Sequence, residues 1–120
     1  MAEFKEAPAG ASAAYYLLIA GHDVTVFERD EAPGGMLRYG IPEYRLPKDR
    51  VLGPEYESVT RLGGRFVCGQ ALGRDFSLDD LQNQGYDAVV VAIGCYDTNK
   101  LGIPGEDADG VIDGLEYLRT

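Results

Sequence analysis

The chain has 120 residues, 45% hydrophobic and 26% charged, with 20 acidic against 11 basic residues and a net charge of −9. That length allows one domain with a buried core, and so acidic a surface repels phosphate backbones and anionic lipid, which argues against nucleic acid and membrane partners. Within these residues two cysteines, Cys68 and Cys95, and one histidine, His22, are too few for a four-cysteine cluster or an ordinary zinc site.

No apolar run approaches the roughly 18 residues of a membrane span. Met1-Ala2-Glu3-Phe4-Lys5-Glu6 has no apolar stretch of the signal-peptide kind. The expected location is cytoplasmic, where a structural disulfide is not expected.

In chain order, Gly10 to Ala20 predicts a helix that starts with small residues and stops at Gly21. A helix with so small a first half can lie close to a sheet. Asp23-Val24-Thr25-Val26-Phe27-Glu28 predicts a strand ending in an acid. Glu31 to Pro42 is a glycine-dense loop. A helix is expected to start between Asp49 and Pro54 and run to Leu62, with Val51, Leu52, Tyr56, Val59 and Leu62 as its apolar stripe. Gly63-Gly64 ends it, and Arg65-Phe66-Val67-Cys68 reads as a short strand.

Asp75 or Ser77 caps a brief helix from Leu78 to Asn83, with Asp79 and Asp80 in the first turn. Ala88-Val89-Val90-Val91-Ala92-Ile93 reads as a strand buried on both faces, as in a parallel sheet. A loop around Pro104-Gly105 and a helix from about Val111 to Leu118 complete the chain. This alternation predicts an α/β fold, a doubly wound parallel sheet of Rossmann type.

Pro8-Ala9-Gly10, the helix, the strand and Glu28 form the first constellation with chemical content. In a dinucleotide-binding unit a glycine lets the helix pack on the sheet, and an acid about 20 residues later accepts hydrogen bonds from the adenosine ribose. Glu28 follows Gly10 at about that spacing and would repel a 2′-phosphate, so FAD or NAD is expected there rather than NADP. Two further glycines of the fingerprint are replaced by Lys5 and Ala7, and residues 1–4 do not resemble its first strand. On these residues alone an ordinary helix–strand packing unit and an NAD-dependent dehydrogenase both stay open.

Pro33-Gly34-Gly35-Met36-Leu37-Arg38-Tyr39-Gly40-Ile41-Pro42, followed by Tyr44-Arg45-Leu46-Pro47-Lys48-Asp49, resembles the NADPH-dependent glutamate synthase small-chain family. The same family includes the flavin region of dihydropyrimidine dehydrogenase. Gly21 to Glu28, Tyr86 to Gly94 and Leu101 to Asp107 extend the resemblance over residues 8–119. An NAD-dependent dehydrogenase has no place for the Gly34 to Pro47 loop.

The resemblance implies one FAD-binding domain over 1–120, truncated at both ends and lacking its central first strand, with an NADPH domain beginning after Thr120. Pro8, Ala9 and Gly10 would meet the FAD pyrophosphate and Glu28 the ribose. Gly34, Gly35, Met36 and Arg45 would lie along the flavin side, Ala71 near the adenine, and Ala92 and Gly94 at the exit from the domain. No side chain is expected to be catalytic, and no metal ligand is expected. The whole protein would pass electrons from NADPH through FAD to an iron–sulfur or larger protein partner. FAD binding by this chain is expected to be weak or lost, and self-association is expected. The alternatives are a truncated domain that associates and binds no cofactor, and an NAD-dependent dehydrogenase domain.

Overall fold

A computed structural model describes residues 8–119. The expectations for Lys5, Ala7, residues 1–6 and the boundary after Thr120 lie outside the described residues. The elements run α1 (Pro8–Ile19), β1 (Thr25–Glu28), α2 (Gly35–Tyr39), α3 (Lys48–Arg61), β2 (Arg65–Cys68), α4 (Leu78–Asn83) and α5 (Gly114–Arg119).

Small side chains bring α1 down onto the sheet. Gly10 and Ala14 are its buried residues, and Ala14 joins Val24, Val26 and Val59 in the core. Leu17, Leu18 and Phe66 pack around that cluster. β1 and β2 pair in parallel, Thr25 opposite Arg65 and Glu28 opposite Cys68. A parallel pair needs a long crossover, and residues 29–64, carrying α2 and α3, provide it.

Alternation along the strands divides the sheet's faces. Val24, Val26 and Glu28 share one face, where Val24 and Val26 join the α1–α3 core. On the other, Phe27 meets Phe76 and Tyr86 with ring centroids 4.9 and 6.2 Å apart.

The structure corrects several expectations. The loop after β1 contains a five-residue helix, α2. α3 starts earlier, at Lys48, so Pro54 lies inside it rather than in its first turn. Proline there has no N–H for the carbonyl four residues back, and the buried side chains of Leu52, Tyr56 and Val59 hold both halves of the helix in place. Val51 and Leu62, assigned to that stripe, are exposed. Ser77 rather than Asp75 caps α4, in a reciprocal pair with Asp80. α5 starts at Gly114 rather than Val111.

The largest correction concerns Ala88 to Ile93. Only Val91 has bridge geometry, and Val90, Val91 and Ile93 are 37%, 54% and 39% exposed. An apolar run becomes a strand only where a neighbour takes its N–H and C=O groups. Among the described residues β1 is paired only with β2, and Ala92 alone from the run packs against the core.

Candidate functional site

Glu28 ends β1 with its side chain buried, 2% exposed. A buried carboxylate is costly unless it is hydrogen-bonded; the Asp30 N–H donates to Glu28 Oε1 at 3.0 Å. The backbone continues this arrangement. Gln70 N–H donates to the Glu28 carbonyl at 2.9 Å and Gly69 N–H to the Asp30 carbonyl at 3.1 Å. The turns after β1 and β2 are thereby tied side by side at the carboxyl ends of both strands.

Beside Glu28 on the ladder, burial pushes the Cys68 thiol above its ordinary pKa, and the Glu28 charge adds to the shift. Burial likewise raises Tyr56, to about 12. Burial in this way favours the protonated thiol and phenol at neutral pH.

The glycine-dense loop folds onto the same end. Gly34 and Gly35 are buried and have φ of 142° and 44°. A Cβ on Gly34 would stand 2.7 Å from Arg38 Cβ, so the loop has room there for backbone only. Arg38 Nε donates to the Pro33 carbonyl at 2.7 Å. The Tyr39 hydroxyl donates to the Ala32 carbonyl at 3.2 Å and accepts the Ala32 N–H at 3.3 Å. Arg38 and Tyr39 therefore brace the loop. Burial raises the Tyr39 pKa, partly offset by its bond to Ala32.

The expected residues separate into two groups. Gly10, Glu28, Gly34, Gly35 and Ala71 are buried, and Met36 is half-buried. Ala71 follows β2 and donates its N–H to Asp75 Oδ2 at 2.8 Å. Pro8 and Ala9 open α1 exposed. Arg45 has an exposed side chain, its guanidinium 6.0 Å from the Tyr44 ring, and only its backbone N–H is tied to the loop, donating to the Pro42 carbonyl at 2.9 Å. Ala92 is tied to the core, and Gly94 is exposed with φ of 69°. Asp30 is the residue that sequence reasoning missed: nothing in the pattern marks an acid two places after a strand as the link between two turns.

Chemically the set comprises a helix N-terminus over a buried glycine, an arrangement suited to phosphate, a carboxylate that accepts hydrogen bonds, and a turn with room for backbone only. Among the described residues no group of acids, cysteines and histidine could hold a metal, and no helix is long and apolar enough to cross a membrane.

A family model of flavin containing amine oxidoreductases matches residues 8–39. The NADP(+)-dependent formate dehydrogenase subunit beta of Moorella thermoacetica is 44% identical over 93% of this chain and 16% of its own length. The glutamate synthase [NADPH] small chain of Mycobacterium tuberculosis is 43% identical over 92% of this chain and 22% of its own. The chain thus spans about a fifth of these relatives. The oxidoreductase FprA of M. tuberculosis superposes with a TM-score of 0.84 at 25% identity, covering 98% of this chain and 27% of FprA. The fold is accordingly the Rossmann-like α/β fold expected from the alternation of elements.

Proposed function

We propose, for a chain that belongs to the flavin oxidoreductase family of the NADPH glutamate synthase small chain, that it supplies the adenosine and pyrophosphate side of an FAD site. The observation that carries this reading is that Glu28 ends β1 and Ala71 follows β2 at the carboxyl ends of the paired strands, with the buried Gly34–Gly35 turn in the segment that leaves β1. Ligands of open α/β sheets bind at that end.

Each residue has a distinct task. The N-terminus of α1 over Gly10 offers backbone N–H groups to the pyrophosphate. Glu28 accepts hydrogen bonds from the ribose and disfavours a 2′-phosphate. The turn at Gly34 and Gly35 lets the backbone pass close to the ligand. FAD, when bound, supplies the hydride and electron chemistry. The whole protein works in the cytoplasm and carries electrons from NADPH through FAD to an iron–sulfur or larger protein acceptor. Support for the nicotinamide end of that path comes from its relatives, an NADP(+)-dependent formate dehydrogenase subunit beta and an NADPH glutamate synthase small chain.

In the sequence Lys5 and Ala7 stand where the dinucleotide fingerprint has glycines, so uptake of FAD by this chain is weak. Amide shifts of the labelled chain during titration test the reading. FAD should shift Glu28, Gly34, Gly35 and Ala71, and NADP should leave them unmoved. A chain whose amides at these positions ignore FAD at millimolar concentration is not an FAD domain. A second reading, association without cofactor, rests on the exposed Val90, Val91 and Ile93, and it gains from that outcome.

A further inference from the structure

Arg119 and Asp30 are 89 positions apart, yet Arg119 Nη2 donates to both oxygens of the Asp30 carboxylate, at 3.1 and 3.0 Å. The same guanidinium stands 5.4 Å from the centre of the Tyr39 ring and 5.3 Å from that of Tyr96. Arg29 faces Tyr96 as well, at 5.2 Å, and its Nε lies 3.4 Å from Asp30 Oδ1. Two arginines and two tyrosines thus enclose one aspartate.

The cluster acts on the site through short links. Asp30 binds Arg119 with its side chain, donates its N–H to Glu28 Oε1, and accepts the Gly69 N–H on its carbonyl. Tyr39 receives Arg119 on its ring and closes onto Ala32 with its hydroxyl. Both ends of the segment 30–39, which carries Gly34 and Gly35, are therefore held by one guanidinium. The side chains of Arg119 and Asp30 are 29% and 17% exposed, so solvent screens the pair only partly.

Core packing does not explain the contact, because α5 has no buried residue. We infer that Arg119 is a positioning residue for the adenosine side of the site, fixing Glu28 through Asp30 and the glycine turn through Tyr39. This rests on the FAD reading above and adds a determinant from the far end of the chain. Arginine suits the task because one planar group can serve a carboxylate and aromatic faces together, which a lysine ammonium does less well.

The test uses the full chain, with amide exchange in the absence of ligand and FAD affinity from the same amide titration. Arg119→Ala should speed exchange across 31–40 by roughly tenfold, leave α4 unchanged, and weaken FAD by about fivefold. Arg119→Lys should fall between. Asp30→Asn combined with Arg119→Ala should do little more than either alone, as expected for residues acting in one link. Unchanged exchange in 31–40 overturns the proposal while leaving the FAD reading intact. Faster exchange with unaltered FAD affinity makes the link structural only and also overturns it. A wild-type chain that ignores FAD removes the reading itself, and is recognised before any variant is made.

Discussion

Gly64 lies beneath Leu18 so closely that a Cβ added to it would stand 2.8 Å from Leu18 Cδ1. The same carbon would stand 2.8 Å from Val59 Cγ1 and 3.0 Å from the Val59 carbonyl. The missing side chain is what lets the start of β2 meet α1 and α3. Gly64→Ala should destabilise the fold by about 1–3 kcal/mol through overpacking. Gly21→Ala is the control: open space surrounds it, but its φ of +89° gives a backbone penalty of about 1 kcal/mol. Urea midpoints of the two variants should rank in that order.

Glu28→Gln should weaken FAD by roughly tenfold, since a charge-assisted hydrogen bond contributes about 1.5–3 kcal/mol. Calorimetry, or amide titration where binding is weak, reads the difference. Equal affinity would remove Glu28 from the ribose.

Cysteine reactivity should differ sharply between two thiols that the sequence presents alike. Cys95 is exposed, whereas Cys68 is half-buried and burial beside Glu28 keeps it protonated. Iodoacetamide at neutral pH should label Cys95 first, with Cys68 following only in denaturant, as mass spectrometry would show.

Acid should act on the turn before α4. Hydrogen bonds from Arg74 and the Ala71 N–H hold Asp75 below the usual carboxylate value of 3.8, and Ser77 does the same for Asp80. A carboxyl depressed only in the folded state adds stability above its unfolded pKa and loses it as pH falls through the folded value. The loss from these residues therefore falls below pH 3.8. Asp75→Asn should flatten the dependence of unfolding on pH in that window and alter nothing in its slope at neutral pH.

Association is the expected fate of the uncovered run. Val90, Val91 and Ile93 are exposed, and among the described residues β1 is paired only with β2; exposed apolar runs and open strand edges recruit other chains. Light scattering should give a dimer or larger at structural concentrations, and Val91→Lys should return it to monomer. A wild-type monomer would show that the run is content in water.

Local chemistry made much of this fold legible. Gly21 and Gly63 stop helices, β-branched residues mark β1, and acids after Ser77 mark α4, because each signal lies within a few residues of its effect. The Gly34–Gly35 turn and Glu28 were visible for the same reason. Strand pairing was not: Ala88 to Ile93 has strand composition, yet among the described residues only Val91 has bridge geometry, because composition does not say which run meets a neighbour. Pro54 misled because a breaker's rule yields where Leu52, Tyr56 and Val59 are buried around it. Asp30 and Arg119 were invisible because their relationship exists only once distant turns have met.

The parallel pairing of Thr25–Glu28 with Arg65–Cys68 also bears on how this chain folds. α4 with its Ser77–Asp80 cap forms from neighbours, but β1 and β2 meet only after residues 29–64 have closed on themselves. Closure entropy is charged before the strand contacts repay it, so this pairing belongs to the slow end of the folding reaction. Yet the charge grows only logarithmically, by about 0.6 kcal/mol for each doubling of length. The exposed tip at Glu43, Tyr44 and Arg45 can therefore lengthen at little thermodynamic cost, while the Gly34–Gly35 turn, braced at both ends, tolerates no insertion. An insertion in this segment is therefore expected to be tolerated on its 43–45 side and not at the braced turn.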